Sequence, residues 1–461
     1  MIDKRDIKAL SKIVGEDNIY SDKAHLLAYS YDATRVRYKP DLVIFPRDEQ
    51  DVSRVLKYCN EHKIVVTPRG AGSGFTGGAL PANGGIILAM ERHMNRILEI
   101  DTQNMVAVVQ PGVINKDLQR AVEEVGLFYP PDPASEEYST LGGNVSENAG
   151  GMRAAKYGIT KDYVMALRAV RANGDIIQAG KRTIKDVAGY NIAGILIASE
   201  GTLAVLTELT LKLISKPKYK KTYMGIFPDV KSAMNAVFKS LANGANPVAM
   251  EFLDSLVIKA LIQKLGVNLP EDAGAILVGD IDGNVPEEIN FQLNILRESF
   301  LENGAVELIV AKDEDEAKEL WFARKNASQS ITIYGNKKLN EDISVPRSKL
   351  PEALDKIYEI GRKYNFTIPC FGHAGDGNIH VNIMIDISQL EEGYKCIEEI
   401  FEAVVKMGGT LSGEHGIGMS KAPFMNIAFS KEEIELFRDI KRAFDPNNIL
   451  NPAKMGLYSH F

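Results

Sequence analysis

Pro68-Arg69-Gly70-Ala71-Gly72-Ser73-Gly74-Phe75-Thr76-Gly77-Gly78 places five glycines in eleven residues. Without a Cβ, successive backbone N–H groups can approach an anion that any other residue would hold off, and a diphosphate fits that need. No Gly-Lys-Ser/Thr follows, so the run is not a P-loop. Nor does it open a helix in the Gly-x-Gly-x-x-Gly pattern of dinucleotide folds. Taken alone, the segment also suits a mobile surface loop.

The flanking sequence argues for a built site. In residues 48–63, Val52, Val55, Leu56 and Cys59 fall at i, i+3, i+4 and i+7, with Asp48 as N-cap, which predicts a helix. Residues 64–67 then read as a strand stopping at Pro68. A second helix is expected over 115–125, with Gly126 at its end. Asn173-Gly174 between apolar runs signals a two-residue hairpin. Residues 201–214 alternate Leu203, Val205, Thr207, Leu209, Leu211 and Leu213, the pattern of a strand with one buried face. Lys216-Pro217-Lys218 breaks it. From there to about residue 407 strands and helices alternate, including strands at 306–310 and 343–346, and an antiparallel sheet with helices on one face is expected. A helix over 432–444 precedes Asp445-Pro446 and Asn451-Pro452.

Further along come Pro130-Pro131-Asp132-Pro133, then residues 139–151, Ser-Thr-Leu-Gly-Gly-Asn-Val-Ser-Glu-Asn-Ala-Gly-Gly, then Ala198-Ser199-Glu200-Gly201-Thr202. In this order and spacing they resemble the FAD-binding domain of the vanillyl-alcohol oxidase family. The resemblance implies that the diphosphate lies on Arg69, Gly70, Ala71, Gly72, Ser73, Gly74, Thr76, Gly77 and Gly78. It implies that Pro131, Asp132, Ser135, Thr140, Gly142, Gly143, Asn144, Asn148, Gly151, Glu200, Gly201, Val205 and Asn451 line the rest of the cofactor. Some family members bond FAD through a His or Cys in these loops. Residues 68–78 and 130–151 contain neither, so non-covalent FAD is expected.

Three of the seven histidines fall in two short stretches, Phe371-Gly372-His373-Ala374-Gly375-Asp376-Gly377-Asn378-Ile379-His380-Val381-Asn382 and Leu411-Ser412-Gly413-Glu414-His415-Gly416-Ile417-Gly418. The turn-forming middle of the first predicts an antiparallel pair with His373 opposite His380, and Asn382 on the same face as His380. Two neutral imidazoles and the Glu414 carboxylate suit a divalent cation such as Zn, Mn or Fe, with positions left open for a substrate. His415 stands next to Glu414, close enough to act as a base there. The bland alternatives are satisfied core histidines and a plain turn. These motifs resemble the D-lactate dehydrogenase, glycolate oxidase and D-2-hydroxyglutarate dehydrogenase group, over residues 40–455. That resemblance implies His373, His380 and Glu414 as metal ligands, His415 as catalytic base, and Arg324 as the holder of the substrate carboxylate. Asn382 joins the catalytic set. For Arg324 the alternative is a surface ion pair with the preceding acidic run. Relatives acting on a dicarboxylate carry a Lys where Asn340 aligns, which favours a short monocarboxylate such as D-lactate.

The expected architecture is therefore α+β. A two-subdomain FAD-binding domain (1–216) is followed by an α+β substrate or cap domain with a mainly antiparallel sheet (217–410), and a C-terminal segment (411–461) returns Glu414-His415 to the flavin. The expected reaction takes a small 2-hydroxy acid to the 2-oxo acid: the metal acidifies the hydroxyl, His415 takes its proton, and hydride passes to flavin N5. Glycolate or D-2-hydroxyglutarate are alternative substrates, and a non-catalytic flavin electron-relay subunit is the alternative role.

Composition bounds the rest. The chain has 461 residues, 45% hydrophobic and 25% charged, with net charge −7 and interspersed signs, so nucleic acid is excluded as a partner. Cys59, Cys370 and Cys396 form no Cys-x-x-Cys motif, and buried thiols are expected. With no second redox centre, electrons should leave to an acceptor protein such as an electron-transfer flavoprotein or an iron–sulfur subunit, in a homo-oligomer or hetero-complex. The first thirty residues lack the apolar core of a signal peptide or membrane helix, so a cytoplasmic protein without a transmembrane segment is expected.

Overall fold

The computed structural model describes residues 2–458 and resolves two compact units. One is assembled from Met1–Gly151, Ile159–Lys216 and Glu414–Phe461; the other from Met152–Gly158 and Pro217–Gly413. The return segment thus belongs to the first unit from Glu414 onward, and seven residues, Met152–Gly158, leave the first unit's sequence for the second.

In the first unit, Asp48 caps the helix Glu49–His62 through Asp51 N–H, and Val52, Val55, Leu56 and Cys59 are buried along one face. That face packs in a core with Leu42, Ile44, Val66, Ile86 and Leu88 of a four-stranded sheet. The sheet runs Ile19–Tyr20, Leu42–Ile44, Ile86–Ala89, Val66–Arg69, and its last two pairings are parallel. The strand expected to stop at Pro68 continues through it to Arg69. Val66–Arg69 is the outer strand of the order, where a residue without N–H costs no ladder bond. Beyond it the C-terminal segment covers the edge: Val66 N–H donates to Ile449 O, and Asn451 N–H donates to Val66 O.

A second sheet of five antiparallel strands runs Ile97–Asp101, Val106–Val109, Ala204–Lys212, Val164–Arg171, Ile176–Gly180. The Asn173-Gly174 hairpin is present but longer than two residues. Val170 pairs with Ile176, and of the two turn residues only Gly174 is left-handed, at φ 89°. Ala204–Lys212 was expected to bury one face and buries both, because it is the central strand of its sheet.

The second unit holds a seven-stranded sheet in which every pairing is antiparallel: Glu307–Val310, Tyr219–Phe227, Ala275–Gly283, Ala249–Asp254, Cys370–His373, Asn378–Ile385, Lys337–Ser344. Helices cover both of its faces rather than the single face expected. Met224 and Ile226 pack with Val257, Leu261, Leu320 and Trp321. Tyr223 and Phe227, on the opposite face of the same strand, meet the Phe300 ring. Asp282 at the end of Ala275–Gly283 holds the short excursion, accepting from Lys156 Nζ at 2.5 Å and Tyr157 Oη at 2.8 Å. No described helix is long and apolar enough to cross a membrane, and all three cysteines are buried free thiols.

The helix Lys431–Phe444 is pinned by a buried ion pair in the first unit. Lys441 is 2% exposed, and its Nζ donates to Asp445 Oδ2 at 2.5 Å, Thr202 O at 2.7 Å and Leu450 O at 2.8 Å. Removing one member of such a pair strands the other's charge. Lys441→Met is expected to cost about 3–5 kcal/mol, read as a fall in the thermal midpoint; an unchanged midpoint would show that the pair contributes nothing.

Candidate active site

The first unit encloses a cavity of about 240 Å³. Its wall is mostly backbone because three glycine-bearing segments meet there. At Gly70 a Cβ would stand 2.1 Å from Thr140 Oγ1, and at Gly151 it would stand 2.2 Å from Asp132 O. Of the residues assigned to the cofactor, Arg69, Gly70, Ala71, Gly72, Ser73, Gly74, Gly78, Ser135, Thr140, Gly142, Gly143, Asn144, Glu200, Gly201 and Val205 line it. The others stand behind the wall. Asn148 ends the helix Leu141–Glu147 in a left-handed conformation, and Pro131 O accepts from Asn115 and Gln119. Asn451 Nδ2 donates to Gly78 O at 2.9 Å and Glu200 O at 2.7 Å, tying two loops together. Thr76, Gly77, Asp132 and Gly151 are likewise outside the lining.

Glu414 and His415 line the same cavity. The His415 ring lies 5.3 Å from that of Phe75, and Thr76 Oγ1 donates to His415 O at 3.2 Å. Glu200 completes the hold: its two carboxylate oxygens accept from Ile417 N–H and Gly418 N–H, each at 2.7 Å. Its backbone sits at φ 51°, a left-handed conformation that costs a non-glycine residue energy. So Glu200 borders the cavity, but its carboxylate serves the loop after His415.

Glu147, Gly150 and Phe75 also line the cavity and were not singled out from sequence. Burial, reinforced by the Glu200 carboxylate, holds Glu147 well above the usual carboxylate range. Its Oε2 is buried without a partner among the described residues. An FAD fits this donor set: backbone N–H groups at the glycine loops for its diphosphate, and a buried acid whose polar atom a ligand would satisfy.

In the second unit the histidine hairpin forms, with its register two residues from that expected. The turn uses only residues 374–377, so His373 faces Asn378 and His380 faces Phe371. The two imidazoles are diagonal neighbours on one face, centroids 5.2 Å apart and nearly perpendicular. The adjacent strand Ala249–Asp254 contributes what sequence reading missed. Glu251, fully buried, is the register partner of His373. Its Oε1 is 2.6 Å from His373 Nδ1 and its Oε2 accepts from Arg324 Nε at 2.8 Å. The one available signal was a lone charge inside the apolar run Val248-Ala249-Met250-Glu251-Phe252-Leu253.

Arg324, on the helix Glu314–Ser330, is no surface ion pair. Its side chain is 13% exposed, stacked 4.8 Å over Phe371, and its terminal guanidinium nitrogens have no hydrogen-bond partner among the described residues. Asn382 is engaged throughout: Nδ2 donates to Pro369 O and His380 O, and Oδ1 accepts from Asn340. Both amide hydrogens serve the sheet, which fixes the side chain beside His380 on the same strand. Asp342, register partner of His380, accepts from Gly413 N–H and Ser412 Oγ, the two residues before Glu414 in the chain.

Residues 216–455 match the family described as FAD linked oxidases, C-terminal domain, and residues 40–180 match the FAD binding domain. The chain is 42% identical over 459 residues to the glycolate oxidase subunit GlcD of Bacillus subtilis (strain 168), covering 99% of this chain and 97% of that one. It is 35% identical over 468 residues to the D-lactate dehydrogenase of Anaerostipes hadrus, with the same 99% and 97% coverage. The solved structure of p-cresol methylhydroxylase with substrate bound superposes with a TM-score of 0.80, covering 99% of this chain and 97% of that one at 18% identity. The fold is that of the vanillyl-alcohol-oxidase-type FAD enzymes, with its antiparallel sheet in the C-terminal part.

Glu200→Gln replaces one acceptor oxygen with an amide that cannot accept. Hydrogen bonds to a charged group contribute about 1.5–3 kcal/mol. Amide exchange at Ile417 and Gly418, followed by hydrogen–deuterium exchange, should therefore accelerate roughly ten- to a hundredfold, with the core strands unaffected. Unaltered exchange at both would show that the loop is held by something else.

Proposed function

This chain belongs to the FAD-linked oxidases, and on that premise we propose that it oxidises D-lactate to the 2-oxo acid and passes the electrons to an acceptor protein such as an electron-transfer flavoprotein. Its matched relatives are FAD-linked 2-hydroxy-acid dehydrogenases and oxidases. The observation that carries the reading is Arg324: held by Nε against Glu251, stacked on Phe371, it keeps its planar outer fork for a carboxylate, next to two convergent imidazoles.

We assign His373, His380 and Glu414, each of which offers a ligand atom, to one divalent cation. Two imidazoles with one carboxylate suit zinc, manganese or ferrous iron. When bound, the cation supplies Lewis acidity to the substrate hydroxyl and non-covalent FAD supplies the two-electron acceptor. Within that setting His415 accepts the hydroxyl proton, steadied by Phe75 and Thr76. Arg324 fixes the carboxylate and with it the orientation of the α-hydrogen. Glu251 holds His373 Nδ1, so that the ring's lone pair is on Nε2. Reoxidation falls to that external acceptor, and the cytoplasm is the compartment in which we place it.

Asn340, neutral and bonded to Asn382 at 2.8 Å, favours a short monocarboxylate. A second reading, D-2-hydroxyglutarate, is favoured by Lys338, whose ammonium is bonded to Ser328 Oγ at 2.7 Å, one helical turn beyond Arg324. Glycolate lacks the methyl of lactate and would bind by the same contacts.

Anaerobic addition of D-lactate, L-lactate, glycolate and D-2-hydroxyglutarate to the flavin-loaded protein decides among these. D-lactate is expected to bleach the flavin absorbance fastest, and a flavin that stays oxidised with all four would instead indicate an electron-relay subunit. His415→Ala should retain FAD and metal while slowing flavin reduction about 10²–10⁴-fold; reduction at the original rate would remove His415 as the base.

A further inference from the structure

Glu251 is a carboxylate with no solvent exposure, set in the middle of an apolar strand. Burial of an ionised acid costs several kcal/mol unless its oxygens are well paired. Here each oxygen has a different partner, and the two partners have different work to do. Oε1 meets His373 Nδ1 at 2.6 Å, and Oε2 accepts from Arg324 Nε at 2.8 Å. A strut for the helix Glu314–Ser330 would need only the arginine. A core histidine would be satisfied by any backbone carbonyl. One acid serving both joins a strand residue and a helix residue that are 49 positions apart in sequence, since His373 and Arg324 lie 122 and 73 residues from Glu251.

We infer that Glu251 is a positioning residue that couples the grip on the substrate carboxylate to the imidazole that holds the metal. The inference rests on the roles proposed above for Arg324 and His373. On the histidine side, a carboxylate on Nδ1–H fixes the tautomer, aims Nε2 and makes it a stronger donor, as outer carboxylates do for metal-bound histidines. On the arginine side, the Nε–H bond locks the plane of the guanidinium over Phe371, so the two terminal amino groups face outward as a fork instead of wrapping the acid. Because both holds come from one rigid carboxylate, the anion site and the metal site keep a fixed spacing. A 2-hydroxy acid needs that spacing, because its hydroxyl and carboxylate are on adjacent carbons.

Glu251→Gln preserves shape and removes the charge. It offers one neutral acceptor oxygen in place of two charged ones, so one partner loses its acceptor and the other keeps only an uncharged bond. In the full-length, FAD-loaded protein, Mn²⁺ affinity measured by titration calorimetry should fall about 10–100-fold, and KM for D-lactate at saturating Mn²⁺ should rise about tenfold, with kcat changed less. Glu251→Asp retains the charge but is one methylene short of spanning both partners. It carries the test if the glutamine variant does not fold, and is expected to shift both quantities in the same directions by smaller factors. A raised KM with unchanged Mn²⁺ affinity, or weakened Mn²⁺ binding with unchanged KM, would overturn the coupling. Wild-type protein that binds no Mn²⁺ or turns over no hydroxy acid would instead overturn the functional reading beneath it.

Discussion

No Cβ can stand at Gly70 or Gly151, and that exclusion shapes everything around the first unit's cavity. The loops carrying Thr140 and Asp132 approach those glycines so closely that an added Cβ would overlap them, and the glycine-bearing segments can pack main chain against one another around the cavity. The few side chains that do enter are then isolated from water and strongly affected by one another. Glu147 and Glu200 are both pushed up by burial, and Lys454, bonded to Leu80 O, is pushed down to about 8 by the same cause. Of these, Glu200 is the acid whose rise is opposed by backbone N–H bonds, and those bonds belong to the loop that follows His415.

The second unit uses a related device repeatedly. A buried acid on a strand receives groups that come from elsewhere in the chain. Asp254 takes Val257 N–H, Cys370 N–H and Tyr358 Oη; Asp282 takes Lys156 and Tyr157; Asp342 takes Ser412 and Gly413; Glu251 takes His373 and Arg324. Each would be costly unpaired, so each selects one arrangement of the incoming segment over its near alternatives. The sheet supplies rigidity and the acids supply registration. A site needing sub-ångström placement is better held this way than by loops alone.

What could be read from sequence was local. The helix Glu49–His62 declares itself by the spacing of Val52, Val55, Leu56 and Cys59 and by its Asp48 cap. The glycine loops declare themselves by density and order, and His373 and His380 by lying seven residues apart around a turn. What stayed hidden depends on partners far along the chain. Glu251 gains its meaning from a histidine 122 residues away. Pro68 is tolerated in a strand only because that strand lies at an edge, which is a property of the sheet and not of the tetrapeptide. The two-residue register difference at His373 came from the number of residues the turn consumes, and period-two alternation does not specify that number.

The order of the segments has a consequence for biosynthesis. The first unit is made of three stretches, and nearly the whole of the second unit lies between Lys216 and Glu414, where the last stretch begins. A ribosome releases the chain from its N-terminus at roughly 5–20 residues per second, so the second unit emerges entire while the first still waits for its closing piece. Until then the outer strand Val66–Arg69 lacks the cover that Ile449 and Asn451 provide, and a bare strand edge invites pairing with other chains. A chain halted before residue 414 therefore lacks the cavity-lining Glu414 and His415, and it carries an adhesive edge that quality-control machinery can recognise.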